Sequence, residues 1–160
     1  MNLTTLAEVK EYLRTAGTPI GSDFDSLIED SIIPAVSQLI EKHCSRSFGE
    51  ATFTEYHDGG GDFVHVKNPP IISITSIYQD EDWDWDSNHL EPSISYVNFV
   101  VNIGYKSGIW PYAIRSIKVT YIGGYVYTAS VGHVVLPDDI KYAATLQVAY
   151  SFKRRFWVNR

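Results

Sequence analysis

The sequence predicts an α+β protein: an amphipathic helical body, two helices at the N-terminus and one at the C-terminus, with a small antiparallel β-sheet inserted between them. Apolar residues keep helical spacing over residues 5–14, 23–45 and 138–155, and they alternate at period two through much of the stretch from about 50 to 125. With 160 residues, 44 % of them hydrophobic, the chain is sized for one ordinary core, so a single domain is expected.

The first helix starts where Thr5-x-x-Glu8 forms a capping box, after which Leu6, Val9 and Leu13 line one face. Gly17, Pro19 and Gly21 end it. Ser22-Asp23 then opens a longer helix carrying Phe24, Leu27, Ile28, Ile32, Ala35, Val36, Leu39, Ile40 and Cys44 at helical spacing. Pro34 removes one backbone donor inside that run, so one rod bent near residues 30–34 is expected. Cys44, the only cysteine, is expected to be buried and reduced on this helix.

Thr52, Thr54 and Tyr56 alternate with Phe53 and Glu55, and the Asp58-Gly59-Gly60-Gly61-Asp62 turn predicts a hairpin back to residues 63–66. Further strands are expected at 72–78, 96–102 and 116–122, and Gly123-Gly124 closes the last one. Pro137-Asp138-Asp139 starts the final helix, with carboxylates at the positive end of the helix dipole. Met1-Asn2-Leu3-Thr4 lacks the basic flank and apolar run of a signal peptide, and no stretch is apolar enough to span a membrane. The expectation is a soluble cytoplasmic protein.

Charge placement says more than the net charge of −6. Asp80, Glu81, Asp82, Asp84, Asp86 and Glu91 fall in residues 80–91 without one Lys or Arg, and the remaining 13 acids balance the 13 bases. Lys153, Arg154, Arg155 and Arg160 crowd the other pole. Net acidity excludes a general nucleic-acid binder, whereas two opposite poles suit contacts with other macromolecules.

The alternating Asp80, Asp82, Asp84 and Asp86 resemble a calcium loop, but Trp85 stands where such a loop needs glycine. Trp83 and Trp85 read better as interface anchors in a loop that orders against a partner. His57 and His65 face each other if the hairpin forms, though two imidazoles make a poor zinc site, and His65 opposite Glu55 is the simpler pairing. Neighbouring His43 and Cys44 diverge on a helix, so they form no base and nucleophile pair. The glycine-rich turn lacks the Lys-Ser/Thr ending of a phosphate cradle. Phe152-Lys153-Arg154-Arg155-Phe156-Trp157 reads as a protein-docking segment, with Phe156 and Trp157 as anchors, before it reads as a base-stacking one.

The order of these signals is similar to the head-tail connector (head completion or adaptor) proteins of long-tailed bacteriophages and prophages. The residues that carry the resemblance are Leu6 to Arg14, the Asp23/Asp25 start of a helix ending in His43-Cys44-Ser45-Arg46, Pro70 to Ile77, Val119 to Tyr125, and Leu136 to Ala144. The acidic Trp-containing loop departs from the shorter members. The resemblance implies one connector-like domain over 1–160, with the β insert at about 50–125. It also implies a protein without catalytic activity, metal or cofactor that forms a twelve-subunit ring on the virion, although the isolated chain need not oligomerise. The ring would sit at the head-tail interface, after assembly in the host cytoplasm, between the portal protein and a stopper or tail-completion protein. DNA would pass through its channel without specific binding. The portal-facing residues would be Lys153, Arg154, Arg155, Phe156, Trp157 and Arg160, and the inter-subunit or tail-side loop would be Asp80, Asp82, Trp83, Asp84, Trp85 and Asp86. A calcium- or carbohydrate-binding module built on loop 80–91 is the alternative.

Overall fold

A computed structural model describes residues 1–157. The α+β class is borne out. The chain divides into two compact units, a helical one formed by Met1–Ser47 with the chain from Val135 onward, and a β unit formed by Phe48–Val134.

In the helical unit, α1 (Leu6–Thr15) opens with the expected capping box: Glu8 N–H donates to Thr5 Oγ1 at 3.3 Å, and Thr5 N–H donates to Glu8 Oε2 at 3.1 Å. A 3-10 turn (Ser22–Phe24), α2 (Asp25–Leu27), a π turn (Ile28–Ile32) and α3 (Ile33–His43) then follow without a break. The irregularity expected at Pro34 takes the form of the π turn, in which Ile33 N–H reaches back to Ile28 O. Pro34 has no N–H for the Asp30 carbonyl and its ring crowds that oxygen, and the wider turn relieves both problems. α4 (Asp138–Trp157) completes the unit. Val9 and Leu13 of α1, Ile28, Ile33 and Val36, and Val148, Ala149 and Phe152 of α4 form its core. The small residues Ala144, Thr145 and Ala149 on the buried face of α4 permit close helix packing. The Leu3 N–H donates to Ser37 Oγ at 3.0 Å, which ties down the N-terminal segment.

Cys44 corrects its expectation. α3 stops at His43, so Cys44 lies in the capping turn and is exposed.

The β unit holds β1 (Ala51–His57), β2 (Phe63–His65), β3 (Ile71–Gln79), β4 (Tyr96–Asn98), β5 (Asn102–Tyr105) and β6 (Ile117–Gly123). They form two three-stranded antiparallel sheets, ordered β1-β6-β3 and β2-β5-β4. Val64, Val66, Ile71, Ile77, Ile103, Trp110, Ile117, Val119 and Tyr121 make one core between them.

The hairpin expected between residues 52–56 and 63–66 does not form. β1 pairs with β6 instead, from Ala51↔Gly123 to His57↔Ile117, while β2 pairs with β5. His57 and His65 therefore lie in different sheets, and Glu55 faces Val119, not His65. The glycine-rich stretch is a crossover packed against residues 110–113: Gly59 N–H donates to Ala113 O at 2.9 Å and Gly60 N–H donates to Trp110 O at 2.7 Å. A Cβ on Gly59 would lie 1.8 Å from the Pro111 carbonyl oxygen. Close approach, not hairpin geometry, is what requires glycine there.

Candidate interaction surfaces

The acidic loop is anchored at its base. Asp80 N–H donates to Ser116 O and Glu91 N–H donates to Ile77 O, each at 2.8 Å. The Asp80 side chain is buried, and it accepts from the backbone N–H of Asp82 (Oδ1) and of Trp85 (Oδ2), both at 2.8 Å. Burial pushes its carboxyl up, but these two backbone donors, the neighbouring Asp84 and the nearby His89 outweigh burial and hold it below the ordinary carboxylate range. The neighbouring Asp80 carboxylate first, then partial desolvation, push the Asp84 carboxyl up.

His89 Nδ1 lies 3.0 Å from Asp86, 3.3 Å from Asp84 and 3.5 Å from Asp80. Asp80, Asp84 and His89 are the group among the described residues whose donor atoms converge closely enough for an ion. Two carboxylates and an imidazole are not the all-oxygen cage that calcium takes.

Through its two backbone bonds Asp80 shapes the segment that carries both tryptophans. Trp83 and Trp85 adopt positive φ, 65° and 55°. Trp83 is 56 % exposed, and its indole Nε1–H donates to Ile114 O at 3.2 Å. The Trp85 ring lies 5.5 Å from that of Tyr56, and Lys118 sits over it at 5.7 Å. Arg115 lies over Tyr56 at 5.4 Å. Tyr56, Trp83, Trp85 and Arg115 wall a cleft of about 240 Å³. Removing the Asp80 carboxylate by Asp80→Ala frees both backbone donors. The expected result is a red-shifted tryptophan emission and several-fold faster proteolysis within 80–91, with the far-UV circular dichroism of the body unchanged; identical emission and cleavage rates would contradict this role for Asp80.

The basic pole of the helical unit is the end of α4: Lys153, Arg154 and Arg155 lie on its last turns, with Arg154 and Arg155 exposed. The backbone of Phe156 and Trp157 continues the helix, and Arg160 lies outside the described residues. Beside this pole, Ala35, Leu39, Ser151 and Arg155 help line a groove of about 350 Å³.

The loop positions read from the sequence therefore come together only in part. Asp80, Trp83, Asp84 and Trp85 belong to one built feature, whereas Asp82 contributes its backbone N–H and Asp86 its contact to His89. Sequence reasoning missed Tyr56 and Arg115. Tyr56 was visible only as an outward position of β1, and nothing local marks Arg115, whose positive φ of 52° is a tertiary property. The histidines are dispersed, His57 with Glu55, His133 with Glu50, and His89 in the loop, so they assemble no shared acid-base set.

Exposed acidic and aromatic side chains thus gather on the 80–91 loop of the β unit, and exposed cations on the end of α4 in the helical unit. Residues 2–159 match the head completion protein family, and the chain belongs to that family. No curated protein matches it. Several solved chains share its fold, among them the following. A chain in the neck of an empty gene transfer agent (GTA) particle, computed with C6 symmetry, is 17 % identical with a TM-score of 0.62, covering 92 % of this chain and 77 % of that one. A chain in the virion of a native GTA particle is 18 % identical with a TM-score of 0.61 and the same coverage. A third, in the neck of a native GTA particle computed with C12 symmetry, is 13 % identical with a TM-score of 0.58, covering 96 % and 82 %.

Proposed function

We propose that this chain is a non-catalytic structural subunit of the head-tail junction of a phage-like virion. Copies form a ring, twelve in the fully symmetric case, that joins the portal to a stopper or tail-completion protein and extends the channel through which DNA passes. The match to the head completion family over residues 2–159 carries this reading. The neck origin and the C6 and C12 symmetries of the structural neighbours support it. In this account the two units described above work together as one connector subunit.

The C-terminal end of α4 is the portal-facing part. Its cations steer the approach, and the adjoining apolar groove takes a partner segment. Net acidity keeps the channel from gripping DNA. Lys153→Glu, Arg154→Glu and Arg155→Glu together are expected to abolish pelleting of the chain with portal-bearing capsids at low salt. The wild type should bind there and weaken as salt rises, since screened charges contribute less. Equal pelleting of the triple variant would overturn the portal-facing assignment.

A further inference from the structure

A ring contact between successive copies is heterologous, so each copy must present two different surfaces that fit one another. The β unit carries two distinct exposed surfaces.

The first is the turn between β4 and β5. Phe99, Val100 and Val101 are 49 %, 67 % and 47 % exposed, three consecutive apolar residues facing solvent. The turn is fixed in place: Ile71 N–H donates to Val100 O at 2.8 Å, Val66 N–H donates to Val101 O at 3.3 Å, and Phe99 N–H donates to Asn102 O at 2.8 Å. Phe99 also rests edge-on against Phe63, ring centres 5.9 Å apart. This is a rigid apolar ridge, not a loose loop.

The second is the aromatic cleft. Among the described residues, the non-glycine positions with positive φ are Ser45, Trp83, Trp85 and Arg115, and the last three line this one cleft. Each such conformation costs on the order of 1 kcal/mol, and strain gathered in one place marks a surface held ready for use. Trp, Tyr and Arg are also the side chains that dominate interface energetics. At about 240 Å³ the cleft lies below the roughly 300–1,000 Å³ of drug-sized pockets, a size suited to a few protruding side chains.

The two surfaces lie at opposite ends of one strand. The ridge is bonded to Ile71, where β3 begins, and the loop carrying Trp83 and Trp85 is bonded to Asp80, just after β3 ends at Gln79. A strand rises about 3.3 Å per residue, which separates them by roughly 25 Å. Their charges are complementary as well. Exposed Lys67 follows Val66, whose N–H donates to the ridge, and Glu81, Asp82, Asp84 and Asp86 are exposed on the loop that carries Trp83 and Trp85, outnumbering Arg115 and Lys118 at the cleft itself.

We infer that residues 99–101 of one copy insert into the Tyr56–Trp83–Trp85–Arg115 cleft of a second copy of this chain, with Lys67 facing the acidic rim. This contact is the head-to-tail joint of the ring, and it rests on the ring reading above.

The test places Val100→Cys and Trp83→Cys together in a Cys44→Ser background and treats assembled particles with a short bismaleimide. The expected result is a ladder of covalent oligomers of this chain. An equal mixture of the two single variants should stop at the dimer, and either single variant alone should stay uncoupled. Val100→Asp and Trp83→Ala, both at exposed positions, should retain the circular dichroism of the wild type and lose the ring. Rings visible on the particles but without the ladder would overturn this contact and leave the connector reading standing. Coupling to a different protein in place of a second copy would do the same. Particles that lack the chain would remove both.

Discussion

Replacing Glu55 by alanine should lower the stability of the β unit by about 3–5 kcal/mol, because it strips the acceptor from a buried polar network. Glu55 is 8 % exposed. Its carboxylate accepts from the Tyr121 hydroxyl at 2.6 Å, from Lys67 N–H at 3.0 and 3.2 Å, and from the Asn68 side-chain amide at 3.2 Å, and it lies 3.2 Å from His57 Nε2. Three hydrogen-bond donors, from residues 67–68 and from β6, thus meet at one side chain, with the His57 ring beside it. Without it, the fully buried Tyr121 hydroxyl keeps only the Asn68 N–H at 3.1 Å, which it accepts, and has no acceptor for its own proton.

The pH dependence carries its own sign. Burial pushes the Glu55 carboxyl up, but His57, Tyr121 and Lys67 N–H bind its charged form and bring it down to about 2 from an ordinary 4.5. A depressed carboxyl contributes stability that is complete above 4.5 and lost as pH falls toward 2, here on the order of 3 kcal/mol. Burial, and the Glu55 charge after it, push the Tyr121 hydroxyl well up. Urea unfolding of wild type and Glu55→Gln between pH 7 and pH 2 checks this. The wild type should lose the increment over that window, and the glutamine variant should lose correspondingly less. Parallel pH profiles for the two would contradict the network.

Phe152→Ala should cost the helical unit about 3–5 kcal/mol. Phe152 is 1 % exposed on α4 and meets Phe24 edge-on at 5.4 Å, in the same cluster as Val9 and Leu13 of α1 and Ile33 and Val36 of α3. One truncation therefore opens a cavity where three helices converge. Tyr150→Ala, two residues earlier but 60 % exposed, should stay within about 0.5 kcal/mol of wild type. Denaturation followed at 222 nm separates the two, and equal losses would contradict the placement of this α4 face in the core. The same loss should weaken capsid binding, since α4 carries the basic pole.

Local chemistry was readable in the sequence wherever the structure answers to local chemistry. The Thr5/Glu8 box, the disturbance at Pro34 and the start of α4 behind Pro137 all depend on residues within one or two turns of helix. Strand positions were legible for the same reason, from alternation. Pairing was not. The turn at residues 58–62 has hairpin composition, yet β1 takes β6, some sixty residues away, because Glu55 and Phe53 fit the Val119 and Tyr121 side of that strand. In the candidate site, the acidic charge and the two tryptophans stood out in the sequence. Arg115 and Tyr56 join them only through the packing of β1 beside β6, and the buried role of Asp80 is invisible in a run of similar carboxylates. The apolar run Phe99-Val100-Val101 read as strand interior, whereas its carbonyls bond the ends of β2 and β3 and leave its side chains outside.

The most direct test of the connector account is electron cryomicroscopy of portal-bearing capsids before and after addition of the purified chain. The account predicts a new closed ring of copies of this chain against the portal, with the basic end of α4 turned toward it and the channel left open. Portals without added density, or with isolated copies that never close into a ring, would contradict it.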